Sequence, residues 1–533
     1  MNITHSFIFF GCWNNINCNK DYIYRDIVLN SIREFENDIQ DVFIAGDNWY
    51  STLIDNIIKG SNDSKSSINI EKEIKEVVND LVDNVEKNMN ESTQQVDKKK
   101  QKKRNNLAFK YYLIDTLVSG YHILYGMNKN IYICVGNHDE SSIHTDNNKD
   151  CMIRTQKYYI KKIKEEVDSA TENIDTLLLE DNIPNLKDIV DDRSLETNID
   201  IDNKNTKMKL YSHDKIGIEE KSSYIVFIIN TNILSDTYLN SLKDELSKYK
   251  EEKSDNLKKI FVMGHIPLFF DKHKDPKEDE DPKEDEDPKE KGPKEKGPKE
   301  KGPKEEKDQS LKKSKKRDKT DIKKGKFNNS YDMIDKIYMI LTDYNCTYIC
   351  ADCHNFNVMK IKCDGRVLIQ ITCGTGGADP DKIIDIYDTP KTSVFKSNRY
   401  KSESSSPQKS SERQEIQYDL LYYSINSYGY SKISVVDNNI IVSYNKLIDI
   451  DSKTYIDDKY RYIISNNNII YLGREVYKNN EKINYILENS LENKNKYCKR
   501  LDDNKAKNIS NTYIDNIIKT ENKKTVCYKK KKD

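Results

Sequence analysis

Five short segments of the sequence share one arrangement, in which an apolar run of strand length is followed at once by a sharp polar turn. Glycine before most of these turns lets the backbone bend tightly. Because the carboxyl ends of strands in an α/β sheet meet at one edge, the pattern predicts a single cluster of polar side chains there. The turns are Gly11-Cys-Trp-Asn14, Gly46-Asp-Asn-Trp-Tyr50, Gly136-Asn-His-Asp139, Gly264-His-Ile-Pro267 and Ala351-Asp-Cys-His354.

Each turn taken alone has an ordinary structural explanation. A single buried histidine is more often a hydrogen-bonded core residue than a metal ligand, and a single Gly-Asp pair is usually just a turn. Five such turns in one chain favour a site, and Gly-Asn-His-Asp139 directly after the apolar run Ile131–Val135 is the most specific of them.

The apolar runs predict an α/β body. Residues 6–47 form a β-α-β pattern, which predicts a parallel strand pair joined by a right-handed crossover. Further strands are expected at 131–135, 224–229, 259–263, 347–350 and 367–372, helices at 107–125, 237–250 and 330–343, and a hairpin at 430–435 and 439–444.

Polar stretches interrupt this body. The 533 residues are 36% hydrophobic and 33% charged, so the chain cannot be packed core throughout. We expect one domain over 1–445 and a polar, partly helical extension over 446–533. Insertions are expected at about 60–106, which contains an amphipathic helix, and at 148–207, 272–326 (a proline-punctuated, charged repeat) and 392–415.

Charge and hydropathy limit the partners. The formal net charge of −1 requires neither nucleic acid nor an anionic membrane. The basic runs 98–104 and 529–532 could touch nucleic acid, but no aromatic residues interleave with them, so solvated loops are the simpler interpretation. The sequence has no apolar run long enough for a membrane span and no secretory signal at its start, which predicts an intracellular protein.

Composition adds two smaller expectations. The 11 cysteines are scattered without CxxC pairs, so most are expected to be free thiols in a reducing compartment. Heavy use of Asn, Lys, Ile and Tyr is typical of AT-rich genomes, such as those of large DNA viruses or some protists. Partner proteins, if any, would bind the insertions.

The order of the five turns resembles that of the calcineurin-like metallophosphoesterases. Gly46-Asp-Asn-Trp-Tyr50 is most similar to the purple acid phosphatase branch, and Thr372-Cys-Gly-Thr-Gly-Gly-Ala378 resembles the glycine-rich turn of that branch. The resemblance covers roughly residues 6–445 without the insertions. It implies a four-layer α/β/β/α sandwich with two metal ions at one sheet edge, drawn from iron, zinc and manganese.

The resemblance also implies roles for individual residues. Asp47 matches the carboxylate that bridges both metals. Tyr50 and His354 match ligands of the first metal, and Asn137 and His265 match ligands of the second metal.

Two residues beside these ligands match groups that act on the substrate. His138 matches the group that binds phosphoryl oxygens or protonates the leaving alcohol. Its neighbour Asp139 is expected to orient the imidazole.

Two ligand positions depart from the pattern of the family. Cys12 stands where the family has an aspartate on the first metal, and Asp352 stands where it has a histidine on the second. Asn14 occupies the place of a histidine found in the wider superfamily, and Ala351 replaces a glycine. Both Cys12 and Asp352 can bind metals, so they are expected to act as altered ligands in a two-metal site of unusual metal content. The same replacements could equally mark the loss of one metal, but the ligands that are retained argue against a fully eroded site.

The implied function is metal-dependent hydrolysis of a phosphorylated substrate, in which a hydroxide activated by two metals attacks phosphorus in line. The alternative is a catalytically impaired protein that uses the same fold as an interaction scaffold. A nuclease of the same superfamily is the weakest interpretation, because only the basic runs support it.

Overall fold

The structure is a computed structural model of the whole chain. It describes residues 5–17, 20–50, 115–139, 151–168, 199–202, 206–212, 215–253, 258–273, 320–324, 332–381, 383–400, 413–449, 454–476 and 479–506.

Two large mixed sheets, a two-stranded ribbon and six α-helices make up most of the described part of the chain. The strands are β1 His5–Phe10, β2 Asp41–Ala45, β3 Asn130–Cys134, β4 Ile199–Asp202, β5 Lys207–Tyr211, β6 Gly217–Glu220, β7 Tyr224–Ile228, β8 Lys259–Met263, β9 Phe269–His273, β10 Thr320–Lys324, β11 Thr347–Cys350, β12 Phe356–Cys363, β13 Arg366–Cys373, β14 Ile386–Tyr400, β15 Arg413–Ile425, β16 Gly429–Val436, β17 Asn439–Asp449, β18 Thr454–Ser465 and β19 Asn468–Val476. The helices are α1 Tyr24–Phe35, α2 115–125, α3 Cys151–Asp168, α4 Asp236–Glu252, α5 Asp332–Asp343 and α6 Asn480–Ala506.

The first sheet has nine strands in the order β19-β18-β17-β16-β1-β2-β3-β5-β4. Its centre is parallel: β1 pairs with β2, β2 with β3, and β3 with β5. The β-α-β unit expected over residues 6–47 is therefore confirmed. The C-terminal half of this sheet is an antiparallel meander that starts with the β16–β17 hairpin, which was also expected.

The second sheet has eight strands in the order β14-β15-β12-β13-β11-β8-β7-β6. Side chains along its central strands point alternately into two hydrophobic cores. In β7, Tyr224, Val226 and Ile228 face the first sheet, whereas Ile225 and Phe227 face the helices α4 and α5. This period of two is what a strand buried on both faces requires.

The two sheets pack face to face, with the ring of Phe7 in β1 4.8 Å from that of Tyr224 and 5.3 Å from that of Phe261 between centroids. Since this face of the first sheet is filled by the second sheet, α1, α2 and α3 cover the opposite face. Helices, sheet, sheet and helices then form four layers. The α/β/β/α fold class expected from the sequence is confirmed.

Three expected boundaries are wrong. Region 148–207 was expected to be an insertion, but α3 contributes core residues and β4 and β5 complete the first sheet. Region 392–415 was expected to be a loop, yet residues up to 400 and from 413 onward pair as β14 and β15. The extension expected from 446 begins inside β17, and β18 and β19 continue the sheet. Alternation in β18 and β19 is interrupted by polar residues, and this hid the strands.

The strands on either side of the charged repeat lie next to each other. Strand β9 just before it and β10 near its end pair antiparallel as a two-stranded ribbon. The repeat itself, the amphipathic helix expected in 60–106 and the basic runs at 98–104 and 529–532 lie outside the described residues.

Among the helices that the structure describes, none has the length and apolar character needed to cross a membrane. Among the cysteines that the structure describes, those at positions 12, 134, 346, 350, 353, 363 and 373 are free and buried, whereas Cys498 is disulfide-bonded.

Candidate metal centre

The five polar turns meet at one edge of the sandwich, where backbone hydrogen bonds join them both within the second sheet and between the two sheets. The amide of Gly11 donates to the carbonyl of Cys373 (2.8 Å), and the amide of Ala351 donates to that of His265 (2.9 Å). Hydrogen bonds of this kind hold each turn against its neighbour, so the side chains of the turns are fixed relative to one another.

Three of the candidate ligands have strained backbones. Cys12, Asp47 and Asp352 have φ angles of 50°, 52° and 61°, in the left-handed region that non-glycine residues rarely adopt. Such outliers concentrate at functional sites, where the surrounding structure holds them in place.

Close packing explains the glycine of the third turn. A Cβ atom added to Gly136 would lie 2.3 Å from both the amide nitrogen and the Oδ1 of Asp47. Only glycine lets these two turns approach so closely. The approach places Asp47 within hydrogen-bond distance of the backbone of His138, whose amide donates to Asp47 Oδ1 at 3.1 Å.

His265 lies at the centre of one half of the site. Its Nδ1 is 2.6 Å from the carbonyl oxygen of Ala45, which can only accept, so Nδ1 carries the proton. Its Nε2 faces three oxygens: Asn137 Oδ1 at 2.8 Å, Asp47 Oδ1 at 3.2 Å and Asp352 Oδ1 at 3.5 Å. We call Asn137, His265, Asp352 and Asp47 Oδ1 the oxygen half.

Four acceptor atoms that point at one another require a cation between them. Either a proton on Nε2 or a metal ion can supply the positive charge. Burial alone would raise the pKa of Asp47, but the charges of His265 and His138 outweigh it and hold that pKa well below its usual range. Burial would lower the pKa of His265, but Asp47 and Asp352 raise it well above the ordinary value. This strong attraction for a positive charge is typical of a metal site.

The other half contains the sulfur. Cys12 Sγ lies 3.7 Å from Asp47 Oδ2, and Tyr50 Oη lies 3.4 Å from His354 Nε2. The Nδ1 of His354 is 2.7 Å from the carbonyl of Asp379, so its Nε2 is left as the acceptor. We call Cys12, Tyr50, His354 and Asp47 Oδ2 the sulfur half.

Burial and nearby charges favour the protonated forms of the Cys12 thiol and the Tyr50 phenol in the absence of a cation. Burial, followed by the charges of Asp47 and Asp352, raises the pKa of Cys12 well above that of a free thiol. Burial and Cys12 likewise raise the pKa of Tyr50.

The two oxygens of Asp47 face different halves, as a bridging carboxylate would require. Cys12, Asp47 and His265 each offer a ligand atom within 4.8 Å of the others, and all three are buried. One imidazole, a thiol and several oxygens are donors that divalent metal ions accept. The residues present therefore fit the metals that the sequence implied.

His138 stands at the mouth of the site. Its side chain is partly exposed, and its ring centroid is 4.8 Å from that of Tyr50. The imidazole is therefore supported on one side by the phenol ring, close to both halves.

Asp139 has a different environment from the one expected. Its carboxylate accepts from the amides of Asn48, Trp49 and Gly136, from the side-chain amide of Asn48, and from Gln156 Nε2, at 2.7–3.1 Å. None of these donors is the imidazole of His138. Asp139 thus clamps the turn that carries Asp47, and the expectation that it orients His138 is corrected.

The sequence did not point to several residues that support the site. Gln156 lies in α3, within the region expected to be an insertion, and also accepts from Tyr121 Oη at 2.9 Å. Asp381 accepts from the amide of His354 at 3.0 Å. No local pattern marks either residue, because both act through contacts distant in sequence.

Asn14, which stands where the wider superfamily has a histidine, lies away from the ligands. Its Oδ1 accepts from Nη1 of Arg25 at 2.8 Å, and both side chains are fully buried. Asn14 therefore holds α1 rather than a metal.

Comparisons with known proteins add little to this geometry. No family model matches the sequence, and no curated protein matches it. Among solved structures, the chain is similar to a purple acid phosphatase isolated from yellow lupin (Lupinus luteus) seeds, with 8% sequence identity and a TM-score of 0.38. The match covers 86% of this chain and 53% of the lupin chain, so it spans about half of that protein's length.

Proposed function

We propose that this protein is a metal-dependent phosphoester hydrolase with two metal ions, one in the oxygen half and one in the sulfur half. The observation that carries the proposal is the convergence of Asn137, Asp47 and Asp352 oxygens on Nε2 of His265. His265 and Asp47 are buried, and acceptors that face each other in such a place are costly unless a cation lies between them. The order of the five turns supports the phosphoesterase class.

The residues of the chain divide the work. Bound metal ions would supply Lewis-acid activation of water and of the phosphoryl group. Asp47 holds both halves at a fixed separation, and the carbonyls of Ala45 and Asp379 fix the tautomers of the two histidine ligands. His138 binds a phosphoryl oxygen or gives a proton to the leaving oxygen.

The test compares His138→Ala with wild type on an aryl phosphate monoester and an aryl phosphodiester. Loss of a general acid lowers turnover by about 10²–10⁴-fold. His122→Ala is the matched control, because His122 is also a partly buried histidine but lies in α2. Unchanged turnover in His138→Ala would refute the role of that residue.

Metal content separates the enzyme from the scaffold alternative. The enzyme is expected to purify with metal, to lose turnover on dialysis against a chelator, and to regain it when divalent ions return. Protein without bound metal and without turnover on either substrate would favour the scaffold. The same two substrates decide whether monoesters or diesters are preferred.

A further inference from the structure

The two halves of the candidate metal centre offer chemically different donors. The oxygen half has three oxygen donors and one imidazole nitrogen. In the sulfur half the thiol of Cys12 lies 3.7 Å from Asp47 Oδ2, and beside this pair the phenol of Tyr50 lies 3.4 Å from the imidazole of His354. Asp47 is the residue common to both halves, so each half can select its own ion.

Different ligand atoms prefer different metal ions. Thiolate ligands favour softer ions such as zinc, whereas carboxylate and carbonyl oxygens suit manganese and magnesium. A hard trivalent ion such as ferric iron is poorly matched to a sulfur ligand. Asp352 adds a negative charge to the oxygen half, which further favours a hard divalent cation there.

The surroundings of Cys12 suit a ligand better than a packing residue. Its side chain is fully buried, and the neighbouring Asp47 and His265 are 1% and 0% exposed. Gly374 packs close to this sulfur, since a Cβ atom added to it would lie 2.0 Å from the carbonyl oxygen of Cys353 and 3.3 Å from Sγ. The strained φ of Cys12 holds its side chain toward Asp47.

Resting on the metal site of the proposed function, we propose that the centre is a mixed one. The sulfur half takes a softer divalent ion of the zinc class through Cys12. The oxygen half takes a harder divalent ion of the manganese class through Asp352, Asn137 and His265.

The experiment uses the full-length protein, freed of metal by a chelator and titrated with Cd²⁺ and then with Mn²⁺. Bound Cd²⁺ is read by its near-ultraviolet thiolate charge-transfer absorption, and Mn²⁺ by loss of the free-ion EPR signal. We expect one equivalent of Cd²⁺ to saturate the absorption and one equivalent of Mn²⁺ to bind afterwards without changing it. Displacement of Cd²⁺ by a modest excess of Mn²⁺ would overturn the proposal.

Variants assign each ion to its half. Cys12→Ser is expected to lose the charge-transfer absorption and to keep Mn²⁺ binding. Asp352→Asn is expected to weaken Mn²⁺ binding at least about tenfold and to keep the absorption. Cys373→Ser is the matched control, because Cys373 is a buried free thiol nearby that belongs to neither half. Absorption that survives in Cys12→Ser would also overturn the proposal.

A measurement on wild type guards against variants that do not fold. Cadmium NMR of the loaded protein distinguishes a site with one sulfur ligand from one with only nitrogen and oxygen, and the second result would reject the proposal. Turnover on aryl phosphates without a sulfur-bound ion would reject the mixed centre but not the hydrolase. A sulfur-bound ion without turnover would reject the hydrolase but not the mixed centre.

Discussion

Replacing Asp139 with asparagine tests whether the turn carrying Asp47 depends on one buried carboxylate. Five N–H groups donate to its two oxygens, and the residue is fully buried. Asparagine keeps one oxygen and turns the other into a donor. Whichever way the amide points, at least two N–H groups then face another N–H group.

The magnitude follows from these contacts. Each buried donor left without an acceptor costs about 1–3 kcal/mol, which gives about 2–6 kcal/mol for two. Asparagine also removes a charge buried near Asp47, and this relief offsets part of the loss. Burial and Asp47 raise the pKa of Asp139 to about 7. We therefore expect a net loss of about 2–4 kcal/mol in the free energy of unfolding at about pH 8, where the carboxyl group is ionised.

The assay is urea unfolding followed by tryptophan fluorescence. The chain has two tryptophans. Trp49 donates its amide to Asp139, and the indole of Trp13 donates to Asn48, so the signal reports on this turn. Asp244→Asn, an exposed carboxylate in α4, is the control and should change stability by less than about 0.5 kcal/mol. Equal unfolding midpoints for the two variants would refute the clamp.

Three other substitutions test separate parts of the fold. Asp457→Asn should stabilise the protein by about 1–3 kcal/mol at pH 7 and bring little gain at pH 4. Burial raises the pKa of Asp457 to about 6, so the wild type loses stability as the pH rises through that value. Urea unfolding at both pH values measures the difference. Gly136→Ala should lower Mn²⁺ affinity at least about tenfold, since its Cβ would lie 2.3 Å from Asp47 Oδ1; the EPR titration measures it. Ser490→Ala should cost about 1–2 kcal/mol in thermal unfolding, because the hydroxyl accepts from the amide of Ile23 (3.0 Å) and donates to its carbonyl (2.9 Å), joining α6 to the start of α1.

Each of these substitutions has a matched control in the chain. Asp364→Asn changes an exposed aspartate that also has a positive φ. Gly126→Ala adds a Cβ that meets only ordinary contacts at 3.5 and 3.6 Å. Ser241→Ala removes an exposed hydroxyl that bonds within its own helix. A control that behaves like its partner variant would show that the cause lies elsewhere.

Much of the architecture could be predicted from the sequence because it depends on local patterns. The strands β1, β2, β3, β8 and β11 are largely apolar runs, and each is followed by a turn with glycine or alanine; β7 is a similar apolar run that is followed by Asn230. Buried parallel strands have this appearance wherever they occur. The strands β14, β18 and β19 lie toward the sheet edges, where one face is partly exposed and polar residues enter the pattern. Their pairing depends on neighbours that are adjacent only in the folded sheet.

The supporting contacts of the site could not be predicted for a related reason. Gln156 reaches Asp139 from 17 positions along the chain, and Asp381 reaches His354 from 27. Neither contact leaves a periodic signal. The role expected for Asp139 was wrong because adjacency in sequence to His138 says nothing about the direction in which a side chain points within a tight turn.

The sequence by itself determined the α/β class and the order of the five polar turns, since apolar periodicity and turn residues act locally. Only the tertiary structure decided that Oδ2 of Asp47 faces the sulfur half while Oδ1 faces the oxygen half. That division depends on the close approach of the turns at Gly46 and Gly136, and on carbonyls that fix two histidine tautomers. These are distances between distant segments, which packing sets and local sequence does not.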